Sequence, residues 1–300
     1  MIELNHVVKK FGDFVVLNDI NIKIEEKQVF GLVGINGAGK STLLRTISGV
    51  YQPESGVVYV DGEPVYDNEV LKKDFFFLSD EPYYDYNSTP RSIVKLYSAL
   101  YGVDEDLYFK YLDDFKIDIK KKLNKLSKGM KRQVFISLAL AIHPKYLILD
   151  EAFDGLDPLS RMKFKQDMID LMEDYGTTII ISSHSLRELE DICDTYALLN
   201  NNKISSTGNL IDALGELHKY QIAFKEDLTE KDFPHIYKSF NKDGRVIKII
   251  TELNEEDVMQ KIAHLNPVII DELSIDFEEL FKALVQSEGY LKWEVCMRII

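Results

Sequence analysis

The chain has 300 residues, 45% of them hydrophobic and 29% charged, a balance typical of a protein that folds around a substantial core. This length suits one large domain or two modest ones. The net charge of −14 disfavours a nucleic-acid-binding protein, which normally presents a basic surface, and also disfavours simple electrostatic docking onto anionic lipid. The two cysteines, Cys193 and Cys296, lie far apart, so they provide neither a disulfide framework nor a zinc site.

Apolar runs in this sequence are short. Thr177 to Ile181 is of strand length, well below the ~20 residues that a membrane helix needs. The N-terminal residues do not have the basic-then-apolar pattern of a signal peptide. The sequence therefore predicts a soluble, cytosolic protein whose role at a membrane would depend on a partner.

The first part of the chain predicts strands. Ile20, Ile22 and Ile24 alternate with polar residues, as in a half-buried strand, and Val57–Val60 followed by Asp61-Gly62 predicts a strand that ends in a turn. Continuous apolar runs predict strands buried on both faces, and with helical segments between them they favour a parallel sheet covered by helices. These runs are Val29–Val33, Phe75–Leu78, Tyr146–Leu149 and Thr178–Ile181.

Between Pro82 and Pro144 the pattern becomes helical. Thr89 can cap a helix that has Pro90 at its first position, and Gly102 is placed to end it. At helical spacing, one face of that helix would carry Ile93, Leu96, Tyr97 and Leu100. We expect a helical insertion between two strands of the sheet, at about residues 82–144.

Near Leu217 the pattern changes again. Strand-like and helix-like segments predict a small α+β accessory domain at 216–300, after a first domain at 1–215. The strand-like segments are Gln221–Phe224, Arg245–Thr251 and Val268–Ile270, and the helix-like segments are Glu255–Leu265 and Phe277–Val285. Residues 293–300 fit neither domain.

A glycine-rich segment follows the predicted strand Val29–Val33 and precedes a helical stretch. It reads Gly34-Ile35-Asn36-Gly37-Ala38-Gly39-Lys40-Ser41-Thr42. Glycines let the backbone curl tightly and turn its N–H groups toward phosphate oxygens. We expect Lys40 to bind the β- and γ-phosphates and Ser41 to bind Mg²⁺, while the helix start attracts the anion. The segment predicts a nucleoside triphosphate site; an unrelated glycine-rich turn is the disfavoured alternative.

Two carboxylates stand where the run Leu147–Leu149 ends, at the edge of the sheet where ligands bind in open α/β proteins. We expect Asp150 to bind the metal and Glu151 to accept a proton from the attacking water. On its own, such an Asp-Glu pair is usually a solvated loop. The phosphate-binding segment upstream favours the functional interpretation.

The segment before the acidic strand reads Leu126-Ser127-Lys128-Gly129-Met130-Lys131-Arg132-Gln133. It resembles the signature motif of ABC ATPases, close to Leu-Ser-Gly-Gly-Gln, with Ser127 and Gly129 kept. The resemblance covers about Met1 to Gly215. It implies a head-to-tail dimer in which the signature of each subunit closes the nucleotide site of the other, so that ATP holds the dimer and hydrolysis releases it. Ser127 could otherwise be only the N-cap of the next helix.

Three more segments match the family. Ala152–Pro158 resembles its D-loop, which couples the two sites and implies a role for Asp157. His184, after Ser182-Ser183, resembles the switch histidine that contacts the γ-phosphate. Phe11 aligns with the aromatic residue, usually tyrosine, that stacks on adenine. Without the resemblance, His184 would be an ordinary surface residue and Phe11 a core aromatic.

One position departs from the family. Asp80, after the Phe75–Ser79 segment, stands where the family usually has a glutamine that senses Mg²⁺ and the attacking water. A carboxylate can meet the metal but cannot donate a hydrogen bond. Asp80 is therefore a candidate metal ligand, and slower hydrolysis or altered coupling is expected.

Together these features predict an α/β protein: a P-loop NTPase (ABC ATPase) core with an N-terminal antiparallel β subdomain and a helical insertion, plus a small C-terminal α+β domain. The resemblance implies a Mg²⁺-dependent ATPase that binds ATP on the cytoplasmic face of a membrane. Its implied partners are a second nucleotide-binding domain, identical or sister, and a separate permease, with no nucleic acid. The motif with Lys128 and Met130 resembles bacterial exporter-type subunits.

The sequence leaves two alternative functions open. A soluble ABC ATPase acting on ribosomes or DNA would typically carry two nucleotide-binding domains or a long coiled-coil insertion, and neither is visible. A module that binds ATP but scarcely hydrolyses it is opposed by the presence of Glu151 and His184 and favoured by Asp80.

Overall fold

The computed structural model describes residues 1–183 and 186–287. The chain divides into two compact units, the first spanning Met1–Thr207 and the second beginning at Gly208. The division therefore falls before the short helix Leu210–Gly215, which lies within the predicted first domain at 1–215. The Asn209 side chain caps that helix by accepting from the amides of Ile211 and Asp212.

The first unit contains the elements β1 (Ile2–Phe11), β2 (Phe14–Ile24), β3 (Val29–Val33), α1 (Lys40–Ile47), β4 (Ser55–Val60), β5 (Glu63–Pro64), α2 (Glu69–Lys72), β6 (Phe75–Leu78), α3 (Pro90–Ser98), α4 (Glu105–Asp114), a 3-10 turn (Leu123–Lys125), α5 (Lys128–Ile142), β7 (Tyr146–Asp150), α6 (Pro158–Tyr175), β8 (Thr178–Ser182), α7 (Leu186–Glu190), β9 (Thr195–Asn200) and β10 (Lys203–Asn209). The last two residues of β10 belong to the second unit.

The N-terminal strands form an antiparallel sheet in the order β2-β1-β4-β5. Ile2 pairs with Ile24 on one side and with Val60 on the other. Ile20, Ile22 and Ile24 are all buried, as their alternation with polar residues predicts. The expected N-terminal β subdomain is therefore present.

A second sheet, with the order β10-β9-β3-β8-β7-β6 among the described residues, lies at the centre of this unit. The pairs β9-β3, β3-β8, β8-β7 and β7-β6 are parallel. The four continuous apolar runs all form strands of this sheet, which confirms the predicted parallel α/β core. Because parallel strands end at one edge, the segments after β3, β6, β7 and β8 meet there.

The helical insertion between β6 and β7 comprises α3, α4, the 3-10 turn and α5. Thr89 caps α3 and Pro90 begins it, as predicted. The predicted end at Gly102 is wrong, because α3 ends at Ser98. The predicted apolar face is also wrong in part, since Leu96 and Leu100 are 57% and 63% exposed.

The reason lies in where α3 packs. Its buried residues are Pro90, Ile93 and Val94, so Leu96 falls outside that face. Leu100 lies beyond the end of the helix, in a turn where its amide donates to the carbonyl of Tyr97.

The second unit is built from α8 (Leu210–Gly215), β11 (His218–Phe224), β12 (Ser239–Asp243), β13 (Val246–Thr251), α9 (Glu255–Ile262), β14 (Pro267–Leu273) and α10 (Phe277–Ser287). Its antiparallel sheet has the order β12-β13-β11-β14. Ile222 and Ile249 from the sheet and Val258 and Ile262 from α9 form a buried core. The predicted α+β character is present here; residues 293–300 lie outside the described residues. No helix of residues 1–183 and 186–287 is both long and apolar enough to span a bilayer.

Candidate nucleotide-binding site

The glycine-rich segment forms a tight loop between β3 and α1. Gly37 and Gly39 adopt left-handed φ values of 80° and 106°, which glycine reaches without strain. A Cβ atom at Gly34 would lie 2.6 Å from the Leu199 carbonyl oxygen, so this position has no room for a side chain. The loop therefore requires glycine at three positions for its shape.

The loop opens onto the first turn of α1. Within the described ranges, no side chain caps this helix, whose N-cap is Gly39. An N-terminus without a side-chain cap leaves its first N–H groups for an anion, which the helix dipole also attracts. Asn36 and Gly37 are exposed, Ala38 is buried, and Ser41 and Thr42 are half-buried. The predicted loop residues thus line a single turn at the sheet edge.

Lys40 lies between this loop and the acidic end of β7. Its side chain is 7% exposed, and its Nζ donates to the Gly34 carbonyl at 2.7 Å and lies 3.8 Å from Glu151 Oε1. Burial lowers the pKa of Lys40, whereas Glu151 and Asp150 raise it. The Lys40 ammonium group is therefore placed to bind a phosphate oxygen in place of the Gly34 carbonyl and the Glu151 carboxylate.

Asp150 and Glu151 are held from the neighbouring strand. Asp150 is buried at the end of β7, and its carboxylate accepts from the Ser182 hydroxyl at 2.7 Å. The Glu151 amide donates to the Ser182 carbonyl at 3.1 Å. One residue at the end of β8 therefore orients both acids, as the register Asp150–Ser182 between β7 and β8 allows.

The start of α5 contacts the 152–158 loop of the same chain. Ser127 is exposed and caps α5 by accepting from the Met130 amide at 3.2 Å. Lys128 Nζ donates to Asp154 at 2.7 Å. A Cβ atom added at Gly129 would overlap the backbone oxygen of Gly155. Gly129 is therefore required for this close approach.

We expect Gly129→Ala to separate α5 from the 152–158 loop and to destabilise the fold by about 1–3 kcal/mol, as overpacking does. Thermal or urea unfolding of the purified variant measures this. Gly102→Ala is the matched control, since a Cβ atom there meets no atom within 4 Å. Equal stabilities of the two variants would contradict the packing role of Gly129.

Asp157 caps α6. Its carboxylate accepts from the amides of Leu159 and Ser160 and from the Ser160 hydroxyl at 2.6 Å. The hydrogen bonds from Ser160 hold the pKa of Asp157 below its ordinary value. Asp157 therefore has a structural role as the cap of α6, in addition to its predicted role in coupling two nucleotide sites. His184 lies outside the described residues.

Phe11 ends β1, and its ring is 48% exposed. It lies edge-on to Tyr51 at a centroid distance of 5.5 Å, with Lys9 Nζ 5.3 Å from its centre. The hairpin that follows Phe11 reaches the phosphate loop, because a Cβ atom at Gly39 would lie 3.0 Å from Val16 Cγ1. Phe11 is thus not a core aromatic.

Asp80 is placed against a cation. Its Oδ1 accepts from the guanidinium of Arg132 at 2.7 Å. Among the residues that the structure describes, no group of three or more His, Cys, Asp or Glu side chains could hold a metal. Arg132 lies within the signature motif, and no role for it was predicted from the sequence. The signal in the sequence for a nearby cation is Asp80 itself, an acid where the family usually has a neutral glutamine.

Comparison with known proteins identifies the family. The sequence profile of the family described as ABC transporter matches residues 17–154. The lantibiotic transport ATP-binding protein SrtF of Streptococcus pyogenes is 31% identical over 231 residues, which are 75% of this chain and 99% of that protein. The chain belongs to the family of ABC transporter ATP-binding proteins. The ABC transporter ATP-binding protein YtrB of Bacillus subtilis is 29% identical over 299 residues, covering 98% of this chain and all of YtrB.

Solved structures agree with the family. An ATP-binding subunit of an ABC transporter superposes with a TM-score of 0.65 at 28% identity, covering 71% of this chain and 91% of its own. CbiO1 of Clostridium perfringens, part of an ABC transporter complex, superposes with a TM-score of 0.61 at 26% identity, covering 72% and 90%. The predicted ABC ATPase fold is confirmed, and the protein is an ATP-binding subunit of an ABC transporter.

The site of this ABC transporter ATP-binding protein fits ATP and Mg²⁺ chemically. The glycine loop, the uncapped helix start and Lys40 suit a triphosphate. The hydroxyl of Ser41 and the carboxylate of Asp150 are oxygen donors of the kind that Mg²⁺ prefers.

Proposed function

We propose that this protein hydrolyses ATP with Mg²⁺ as a dimer and so drives a separate membrane permease from the cytoplasmic face. The observation that carries the proposal is the convergence of the phosphate loop, Lys40, Asp150 and Glu151 at one edge of the central sheet. That arrangement supplies both an anion cradle and acids next to it.

In this proposal Lys40 and the loop amides bind the phosphates, and Ser41 and Asp150 would hold Mg²⁺. When bound, Mg²⁺ neutralises the charge that develops on the phosphate oxygens. Glu151 accepts the proton of the attacking water, because its carboxylate lies beside Lys40 and so near the phosphates. His184 would contact the γ-phosphate.

A second subunit would complete the site. Ser127 is exposed at the N-terminus of α5, so its hydroxyl and the helix start are available to a phosphate of a facing subunit. Gly129 keeps this helix start against the 152–158 loop, which also contains Asp157. A change at one site could therefore reach the other through this contact. The partner would be a second copy or a sister subunit.

Two relatives are transport or import proteins, which supports a function in transport across a membrane. SrtF is a lantibiotic transport ATP-binding protein, and the relative of Clostridium tetani, 29% identical over 321 residues, is the methionine import ATP-binding protein MetN. We infer that this chain acts on a separately encoded permease, as the resemblance implied, and not on ribosomes or DNA.

Release of phosphate from ATP by the purified protein, with and without Mg²⁺, tests the hydrolysis. We expect turnover that needs Mg²⁺ and rises faster than in proportion to protein concentration, because two subunits form each site. Turnover that is unaffected by chelation of Mg²⁺, or no turnover at any protein concentration, would contradict the proposal.

Phe11→Ala should weaken ATP binding by ~1–3 kcal/mol, the value of a base–aromatic stack. Titration with a fluorescent ATP analogue measures the change. Phe11→Tyr is the matched control, since it keeps the ring, and it should bind as the unaltered protein does. Equal affinity of the alanine and tyrosine variants would mean that Phe11 does not stack on adenine.

A further inference from the structure

Arg132 joins three segments that are far apart in sequence. It projects from α5, donates through Nη1 to the Ser79 carbonyl at 2.9 Å, and donates through Nη2 to Asp80 Oδ1 at 2.7 Å. Nη2 also lies 3.2 Å from the Glu151 carbonyl oxygen, to which it donates. The planar fork of a guanidinium suits several fixed acceptors better than a lysine ammonium does.

The charge of Arg132 is buried and compensated. The residue is 3% exposed, and an uncompensated cation at such a position would be costly. Asp80 supplies the countercharge at 2.7 Å, while Lys128 Nζ lies farther from the same Asp80 oxygen, at 4.0 Å, and closer to Asp154, at 2.7 Å. Burial lowers the pKa of Arg132, whereas Asp80, Asp154 and Asp150 raise it. The acidic surroundings thus favour the charged form.

The backbone of Glu151 needs such support. Its φ is 50°, in the left-handed region that a residue with a side chain rarely adopts. Backbone of this kind persists only where the surroundings hold it. The Ser182 carbonyl accepts from the Glu151 amide at 3.1 Å. The Glu151 carbonyl accepts from the Asp154 amide at 3.1 Å and from Arg132 Nη2. Arg132 thus contributes a side-chain hydrogen bond to the carbonyl side of this peptide.

We propose that Arg132 is a positioning residue for hydrolysis, which fixes the peptide of Glu151, and that Asp80 acts as its counter-ion and not as a magnesium ligand. This inference rests on the proposed role of Glu151 as the general base. It gives the departure at Asp80 a reason: an acid replaces the glutamine of the family because a buried arginine stands opposite.

Steady-state kinetics and nucleotide titrations test the role of Arg132. Arg132→Met should lower kcat by about 10- to 100-fold, the scale of loss when a catalytic group is misplaced by about 1 Å, and leave the Kd for ATP unchanged. Arg132→Lys should recover part of kcat, because it restores the charge. Lys125→Met, which removes an exposed cation just before the signature segment, is the control and should keep the kcat of the unaltered protein.

A double variant separates positioning from a general loss of structure. In a Glu151→Gln background, Arg132→Met should cause no further loss of turnover, because residues that act as a unit are not additive. A further loss equal to that in the unaltered protein would overturn the inference. If Arg132→Met does not fold, as judged by circular dichroism, the Arg132→Lys variant alone and in the Glu151→Gln background decides by the same comparison.

Substitution of Asp80 distinguishes its two roles. Asp80→Gln introduces the residue usual in the family but removes the countercharge, so we expect kcat to fall. If Asp80 instead serves as a substitute for the metal-sensing glutamine, kcat should rise, and the inference is overturned. Glu81→Gln, at the exposed neighbour, is the control for loss of a negative charge.

Failure of this inference and failure of the proposed function look different. No Mg²⁺-dependent turnover by the unaltered protein contradicts the function itself. Turnover that is lost in Glu151→Gln but kept in Arg132→Met leaves the function intact and removes Arg132 from the mechanism.

Discussion

Glu151→Gln is expected to lower ATP turnover by at least about 100-fold, the lower end of what a positioned general base contributes. The amide has nearly the shape of the carboxylate but cannot accept the proton of the attacking water. ATP should still bind, because the glycine loop and Lys40 are unchanged. Bound and unhydrolysed ATP should then hold two subunits together. Phosphate release and size-exclusion chromatography with ATP and Mg²⁺ measure the two effects.

The matched control is Glu173→Gln, which removes an exposed carboxylate from α6. It should hydrolyse ATP at the rate of the unaltered protein. In size-exclusion chromatography with ATP and Mg²⁺ it should elute at the same volume as the unaltered protein. Normal turnover in Glu151→Gln would remove Glu151 from the mechanism and, with it, the basis for the role of Arg132.

Lys40→Ala is expected to abolish ATP binding at ordinary concentrations. Removing one partner of a buried charged contact costs about 2–5 kcal/mol, or roughly 30-fold or more in Kd. Lys40 is 7% exposed and reaches the loop carbonyl of Gly34, so its charge is directed into the cradle and not toward solvent. Titration with a fluorescent ATP analogue gives the change in affinity.

Lys23→Ala is a suitable control, because Lys23 pairs with Glu25 on the exposed surface of β2. It removes the same charge and should leave the affinity for ATP unaltered. An identical Kd for Lys40→Ala and Lys23→Ala would refute the assignment of the glycine-rich segment as the phosphate site.

The sequence predicts four of the six strands of the central sheet, β3, β6, β7 and β8, because each is a continuous apolar run, whereas β9 and β10 were not predicted. Val29–Val33 and Phe75–Leu78 form strands with the predicted limits. Such runs are continuous and apolar, so their limits are visible without knowledge of the fold. The strand Ser239–Asp243 was not predicted, because it is polar and becomes a strand only by pairing with β13.

The predictions from sequence fail where tertiary packing determines which residues are buried or paired. Leu96 and Leu100 fit a helical face by spacing, but α3 ends at Ser98 and packs through Pro90, Ile93 and Val94. The partner of Asp80 lies on α5, 52 residues further along the chain, and no local pattern relates the two. The phosphate loop was readable because its function requires particular residue types in one contiguous segment. Side-chain pairs between distant segments have no such signature.

Co-purification tests directly whether this ATP-binding subunit works on a membrane permease. Glu151→Gln protein with an affinity tag would be incubated with ATP and Mg²⁺ in detergent-solubilised membranes of the native host, with Lys40→Ala protein as the control. We expect a polytopic membrane protein, identified by mass spectrometry, in stoichiometric amount with Glu151→Gln. Ribosomal proteins, DNA-processing factors or the absence of any membrane partner would contradict this expectation and favour a soluble ABC ATPase.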